Sequence, residues 1–270
     1  MADIVENNIH RFSGYAQLYH GYRPEVPESV IDILIAYLGR RPDVVVDLGC
    51  GTGLSSFLWG PVAGRVVGVE PNDDMRHQAM EENSRRGLRQ MEFVNGLSTA
   101  IPLEDGVADV VTCSQSFHWM NPQPTLAEIH RILKPGGFFA AYDCDWPPSC
   151  SVMAEQAYDT LIEAAEGSIQ KNIPAEQQVH KWPKHEHLQQ IVQSGLFTFT
   201  KEVVFHVERQ LTAQEFIGIG LSQGSVQTVL KHQLPDMVAA LPAFEQTVYA
   251  AFAEQTRRAW LCYRMRIGMK

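Results

Sequence analysis

Short apolar runs that end in glycine or an acid alternate with amphipathic stretches over roughly residues 27–142, and this alternation limits the fold more than any other feature. "VPESVIDILIAYL" (26–38) carries apolar residues at helical spacing behind a Pro-Glu-Ser opening. "DVVVDLG" (43–49), "RVVGVE" (65–70), "MEFVNG" (91–96) and "VADVVTCS" (107–114) read as strands, and continuous apolar runs suit strands covered on both faces. Between them "LSSFLWG" (54–60) predicts a helix. "NDDMRHQAMEENSRRG" (72–87) predicts an exposed one, with acids early and arginines late to suit the helix dipole. "PTLAEIHRILKPGG" (124–137) predicts a helix closed by Pro-Gly-Gly, and "FFAAYD" (138–143) a fifth strand. Strands separated by helices imply a mostly parallel sheet with helices on both faces, an α/β fold. Ligands of such sheets lie beyond the carboxyl ends of the strands, where strand order reverses. The turns after the first four strands are where a site is expected.

After Asp143 the alternation stops, and "WPPSC" (146–150) breaks the chain. We read 145–196 as a helical insertion over the ligand edge, with a helix over 151–166. "FTFTKEVVFHVER" (197–209) returns to β character, "LTAQEFIGIG" (211–220) predicts a capped helix, a further helix is expected near 243–258, and "AWLCYRMRIG" (259–268) reads as a last strand. The whole chain is expected to form one domain: a lid over 1–26, a core over 27–143, the insertion, and 197–270 completing the sheet.

Composition narrows the partners. At 45% hydrophobic and 20% charged residues the 270-residue chain is ordinary for a globular protein, and no stretch approaches the roughly 20 apolar residues that span a bilayer. The net charge of −9 argues against binding nucleic acid, which relies on clustered Lys and Arg, and favours a small-molecule partner. The short basic groups, Arg85-Arg86 with Arg89 and Arg257-Arg258 with Arg264 and Arg266, read as solvated faces. The five cysteines are irregularly spaced without a C-x-x-C pair, and the start "MADIVENNIH" is polar and acidic; together they predict free thiols and a cytoplasmic location. His185 and His187 stand two apart in an exposed polar stretch without a third ligand, so no metal site is expected. Oligomeric state is left open.

The first turn reads "VVVDLGCGTG", with Gly49, Gly51 and Gly53. Glycine permits positive φ and leaves no Cβ between main chain and ligand. The nicotinamide fingerprint G-x-G-x-x-G would need its third glycine at Leu54. Asp47, just before the glycines, can accept hydrogen bonds from the loop or face a cationic ligand, and it would repel a diphosphate. Glu70 ends the second strand, where a carboxylate can accept both hydroxyls of a ribose.

"VVDLGCGTG", "VVGVEPNDDM", "LEDGVADVVTCSQSFHWM" and "EIHRILKPGGFFAAYD", in this order, resemble the class I S-adenosylmethionine-dependent methyltransferases, and most the small-molecule branch (methyltransferase type 11) that includes the trans-aconitate methyltransferase-like enzymes. The resemblance covers roughly 43–143, with a weaker likeness of "FSGYAQLYHGYRPEVP" (12–27) to that branch's amino-terminal lid. It implies a Rossmann-like fold with a seven-stranded sheet, S-adenosylmethionine as cofactor, and methyl transfer to an O or N atom of a small-molecule acceptor.

The resemblance also implies roles. Asp47 and the main chain of Gly49, Cys50, Gly51 and Gly53 would hold the methionine part, Glu70 the ribose, and Pro71 and Met75 would lie near the adenine. The turn after the third strand usually reads Gly-Asp-Ala; here it is "NGLS", with Leu97 in the Asp position and Asn95 or the main chain of Ser98 as substitutes. Cys113 and Ser114 would offer carbonyls to the methionine ammonium. In "SQSFHWMN" (114–121), Phe117 and Trp119 would shape the acceptor pocket, and His118 would hydrogen-bond the acceptor or take its proton; packing is the alternative for this turn. Tyr15, Tyr19 and Arg23 in the amino-terminal segment would close over the cofactor or bind an acidic acceptor. The rival readings are a non-catalytic S-adenosylmethionine sensor and a nicotinamide-dependent oxidoreductase.

Overall fold

The computed structural model describes residues 6–9, 22, 26–235 and 237–270. The five strands of the alternating region are β1 (Val44–Leu48), β2 (Arg65–Val69), β3 (Met91–Val94), β4 (Ala108–Ser114) and β5 (Leu133–Ser149). With β6 (Phe199–Leu211) and β7 (Arg257–Met269) they form one seven-stranded sheet in the order β3-β2-β1-β4-β5-β7-β6. β7 runs antiparallel to both of its neighbours, and the pairs among β1 to β5 are all parallel. Chain order reverses between β1 and β4, so the ligand crevice of this topology opens at their carboxyl ends.

The period-two alternation of the strands splits their side chains between two apolar layers. Val45, Val66, Val110 and Phe138 face one side with α1 (Ser29–Leu38) and α2 (Leu54–Trp59). Val46, Val67, Val111 and Phe139 face the other with α4 (Pro122–Ile132). The exposed helix expected over 72–87 is α3 (Asp73–Arg86), capped by the Asn72 side chain on the Met75 amide.

The helix expected over 124–137 stops at Ile132. Lys-Pro-Gly-Gly is instead drawn into β5, because Leu133 pairs with Ala108 and the Lys134 ammonium lies 3.0 Å from both carboxylate oxygens of Asp109 on β4. The insertion helix α5 (Val152–Asn172) is longer than expected, and is followed by α6 (His187–Gln193). Between β6 and β7 stand α7 (Ala213–Leu221), α8 (Gly224–Lys231) and α9 (Met237–Phe252). The expected cap of α7 is a complete capping box between Thr212 and Glu215.

A third core unites these helices with α5: Tyr158 and Leu161 pack with Phe216, Val226, Phe244 and Phe252. The helical cap over the sheet is thus drawn from both sides of β6. Among the described residues, no helix is long and apolar enough to cross a membrane.

Candidate active site

The turn after β1 is laced to the end of β2. The amide of Gly49 donates to the Val69 carbonyl at 2.8 Å, and both Gly49 (φ 64°) and Gly51 (φ 56°) occupy the left-handed region that glycine adopts without strain. A Cβ on Gly49 would stand 2.8 Å from the Ser116 Cβ and 2.9 Å from the Met120 Cε, so glycine there lets the turn after β4 close on the turn after β1. Ser116 completes that closure by donating to the Leu48 carbonyl at 2.7 Å.

Glu70 sits between these turns, 8% exposed. Its Oε2 accepts from the Gly51 amide and its Oε1 from the Asn72 amide, each at 2.9 Å. A carboxylate oxygen has two acceptor positions, so each keeps one for a further donor. Burial pushes the Glu70 carboxyl above its ordinary value, and the Asn72 and Gly51 amides oppose that rise.

A cavity opens in front of this carboxylate. Gly49, Cys50 and Gly51 form one wall, Pro71 and Met75 another, and Leu97 and Ser98 a third. Ser114 and Trp119 close it on the β4 side. Of the remaining residues expected there, Gly53, Asn95 and Cys113 are not in its lining. Gly53 (φ 85°) precedes α2, with the Phe57 ring where a Cβ would be; Asn95 is exposed; Cys113 is buried in the core.

Asp47 is also absent from the lining. It is fully buried, and its Oδ2 accepts from the hydroxyls of Ser55 (2.5 Å) and Ser56 (2.6 Å) while Oδ1 accepts from Thr112 (2.9 Å). Burial raises its carboxyl above the ordinary value, against these three hydroxyl bonds. Asp47 therefore braces the start of α2 and the end of β4 from behind, where the sequence suggested a ligand contact.

The turn after β4 divides its aromatic residues. Phe117, 1% exposed, points into the core with its ring 5.4 Å from Phe139 and 4.9 Å from His187, so it packs and lines neither cavity. Trp119 lines both the first cavity and a second one of about 490 Å³. His118 lines only the second. The Trp182 amide donates to the His118 carbonyl at 2.9 Å, which pins the insertion to this turn.

Behind His118 lies a buried charge cluster centred on Asp143, at the end of the sequence's fifth apolar run. Its Oδ1 is 3.0 Å from the Lys184 ammonium and 3.5 Å from His118 Nδ1; its Oδ2 is 3.1 Å from Arg266 Nη1 and 3.4 Å from His187 Nδ1. Burial would raise the Asp143 carboxyl, but Lys184, then His118 and His187, outweigh it and hold it well below its usual range. Burial, with Lys184 adding to it and Asp143 opposing, lowers the His118 pKa to about 3. Two expectations change here. His187 is fully buried where an exposed polar stretch was expected, and Arg266, expected on a solvated face, is 2% exposed between Asp143 and Glu202.

The amino-terminal segment meets the site through Asn8. Its side chain donates to the carbonyls of Trp119 and His180 and accepts from the His180 amide, all at 3.0 Å. Asn72 donates to the Ile9 carbonyl at 2.8 Å, and Asn8 and Ile9 both line the first cavity. Tyr15, Tyr19 and Arg23 lie outside the described residues.

Sequence reasoning missed Tyr142, Trp146 and Trp182, which line the first cavity. Tyr142 had a signal, a polar tip at the end of an apolar strand. The tryptophans had none, since they reach the site only through the folding of the insertion.

Comparison with known proteins agrees with this geometry. Residues 46–141 match the family described as a methyltransferase domain. An uncharacterized methyltransferase of Mycobacterium tuberculosis is 33% identical over 47% of this chain and 49% of its own length. A protein of Saccharomyces cerevisiae described as a probable S-adenosylmethionine-dependent methyltransferase is 29% identical over 45% of this chain and 43% of its own. The chain thus spans about half the length of the curated relatives it matches. Among solved structures, a candidate type II methyltransferase of Anaeromyxobacter dehalogenans shares the fold with a TM-score of 0.68 at 20% identity, over 92% of this chain and 98% of that one. Residues 46–141 thus match a methyltransferase domain, and the sheet order is that of a solved methyltransferase fold.

Proposed function

We propose that this protein transfers a methyl group from S-adenosylmethionine to an O or N atom of a small molecule. The observation that carries the reading is Glu70, held by the Gly51 and Asn72 amides with one acceptor position per oxygen left for a pair of neighbouring hydroxyls. The residues around it fit the donor: a ribose would meet Glu70, a methionine part the bare main chain of Gly49 to Gly51, and an adenine the apolar surfaces of Pro71, Met75 and Leu97. Leu97 offers that ring contact area in place of a hydrogen bond. Ser114, at the end of β4, is the carbonyl candidate for the ammonium. When bound, the donor supplies an electrophilic methyl on a sulfonium.

The protein's part is then positioning and exclusion of water. Trp119, which lines both cavities, marks where donor and acceptor meet, and its face favours a cationic centre. His118 serves the acceptor. Asn8 closes the first cavity by joining the amino-terminal segment to Trp119 and His180. All five cysteines are free thiols, which supports a reducing, cytoplasmic setting.

Calorimetry with S-adenosylhomocysteine tests the reading directly. Binding by the native protein that weakens in Glu70→Ala is the expected result, followed by label transfer from methyl-labelled S-adenosylmethionine into a metabolite extract. No binding of either compound would end this account.

A further inference from the structure

The second cavity meets the first along Gln115, Trp119, Trp146 and Trp182, which line both. Its volume, about 490 Å³, is that of a small-ligand site. Asp159, Glu163 and Glu166 stand on one wall, at spacings that share a face of α5. The same lining holds two lysines: Lys184 lies 3.0 Å from Asp143 and donates to Gln115 at 3.0 Å, and Lys181 lies 5.3 Å over the Trp119 ring. An entering carboxylate would thus face three carboxylates against two lysines, of which Lys184 is already paired with Asp143.

His118 is the polar ring at the back of this cavity, 5% exposed. Its Nδ1 is buried and has no hydrogen-bond partner nearer than Asp143 Oδ1, at 3.5 Å. Asp143 in turn is fixed by Lys184 and by Arg266, and Arg266 is held by Glu202 at 2.9 Å. An anion facing Nδ1 favours the tautomer with its proton on Nδ1, and that tautomer leaves a lone pair on Nε2, the edge of the ring turned away from Asp143. The low pKa of His118 agrees, because the ring then stays uncharged throughout the neutral range.

Resting on the methyltransferase reading above, we propose that the second cavity receives the methyl acceptor and that Asp143 is a positioning residue that holds His118 with Nε2 bare toward it. The acceptor is then an uncharged hydroxyl or amine on an apolar or aromatic body, and carboxylates are disfavoured. Its O–H or N–H donates to His118 Nε2, which turns a lone pair of the reacting atom toward the wall shared with the first cavity. As the new C–O or C–N bond forms and the S–CH3 bond breaks, the acceptor's proton passes to Nε2, leaving S-adenosylhomocysteine. The tryptophans supply the surface for the body of the molecule.

Imidazole nitrogen NMR on the full chain tests this, with the His118 signal assigned by its loss in His118→Gln. The expected spectrum has the Nδ1–H tautomer with an unprotonated Nε2 from neutral pH down to about pH 5, burial with Lys184 and His187 keeping the ring neutral against the Asp143 carboxylate, which Arg266 also faces. An Nε2–H tautomer, or a cationic ring at neutral pH, overturns the proposal. Phenol should shift the Nε2 signal and benzoate should not; no shift with phenol, or a shift with benzoate alone, overturns the acceptor class. Asp143→Asn should mix the tautomers if it folds, and an unchanged tautomer in a folded variant removes Asp143 from the role. Should the variant not fold, the native spectrum decides. The tautomer is read without donor, so failure to bind S-adenosylhomocysteine would sink the methyltransferase reading separately.

Discussion

The Gly51 amide donates to Glu70 Oε2 at 2.9 Å, and this bond ties the glycine turn after β1 to the acidic turn after β2. One carboxylate therefore shapes the loop and faces the cavity. Glu70→Ala removes both functions and leaves the Gly51 and Asn72 amides without their acceptor. We expect affinity for S-adenosylhomocysteine to fall about 10- to 100-fold, the equivalent of about 1–3 kcal/mol. Calorimetry on folded variant protein checks it, and Glu70→Gln should lose less.

Asp47 should behave in the opposite manner. Its oxygens take three buried hydroxyls and face no cavity, so Asp47→Ala should cost on the order of 3 kcal/mol of stability. Urea denaturation measures that loss. An intact unfolding midpoint combined with lost donor affinity would return Asp47 to the ligand.

Acidification should destabilise the protein through His118. Its folded pKa, lowered to about 3, lies below the ordinary 6.5, so between these values the unfolded chain binds the proton and the native state does not. Stability then falls as pH drops through that window, by up to about 1.4 kcal/mol per pH unit for one such group. Asp143, held well below its usual value, adds to the loss at more acid pH. Thermal melts from pH 7 to about pH 4 should show a shallower slope in His118→Gln than in the native protein.

Gly218 of α7 makes room for the Tyr22 ring, which an added Cβ would strike. Glycine to alanine inside a helix ordinarily stabilises by about 1 kcal/mol. Here Gly218→Ala should forfeit that gain and loosen the amino-terminal segment instead. Hydrogen exchange at residues 6–9 should quicken in the variant. Slow exchange with a raised midpoint would show that Tyr22 moves aside freely.

The Asn8 clasp carries a further expectation. Asn8→Ala leaves the His180 amide and the Trp119 and His180 carbonyls without this partner in a part-buried place. Donor affinity should fall by about 1–2 kcal/mol, read by the same calorimetry, while the melting of the sheet stays close to native.

What could be read from the chain alone were features written in neighbouring residues. Short continuous apolar runs located the first five strands, glycine at positions 49 and 51 marked the turn that needs positive φ, and an acid after β2 marked a carboxylate that faces the cavity. Each depends on local backbone chemistry, so each is legible over a few residues. The remainder depended on residues far apart in sequence. Asp47 looked like a ligand contact until Thr112, 65 positions away, and the serines of α2 took up its oxygens. Phe117 and His118 are adjacent, yet packing sent one to the core and the other to a cavity wall. Asp143 meets His118, Lys184, His187 and Arg266 only because β5, β7 and the insertion fold against one another. Burial and long-range contact decide where a polar side chain finds its partner, and no local pattern records either.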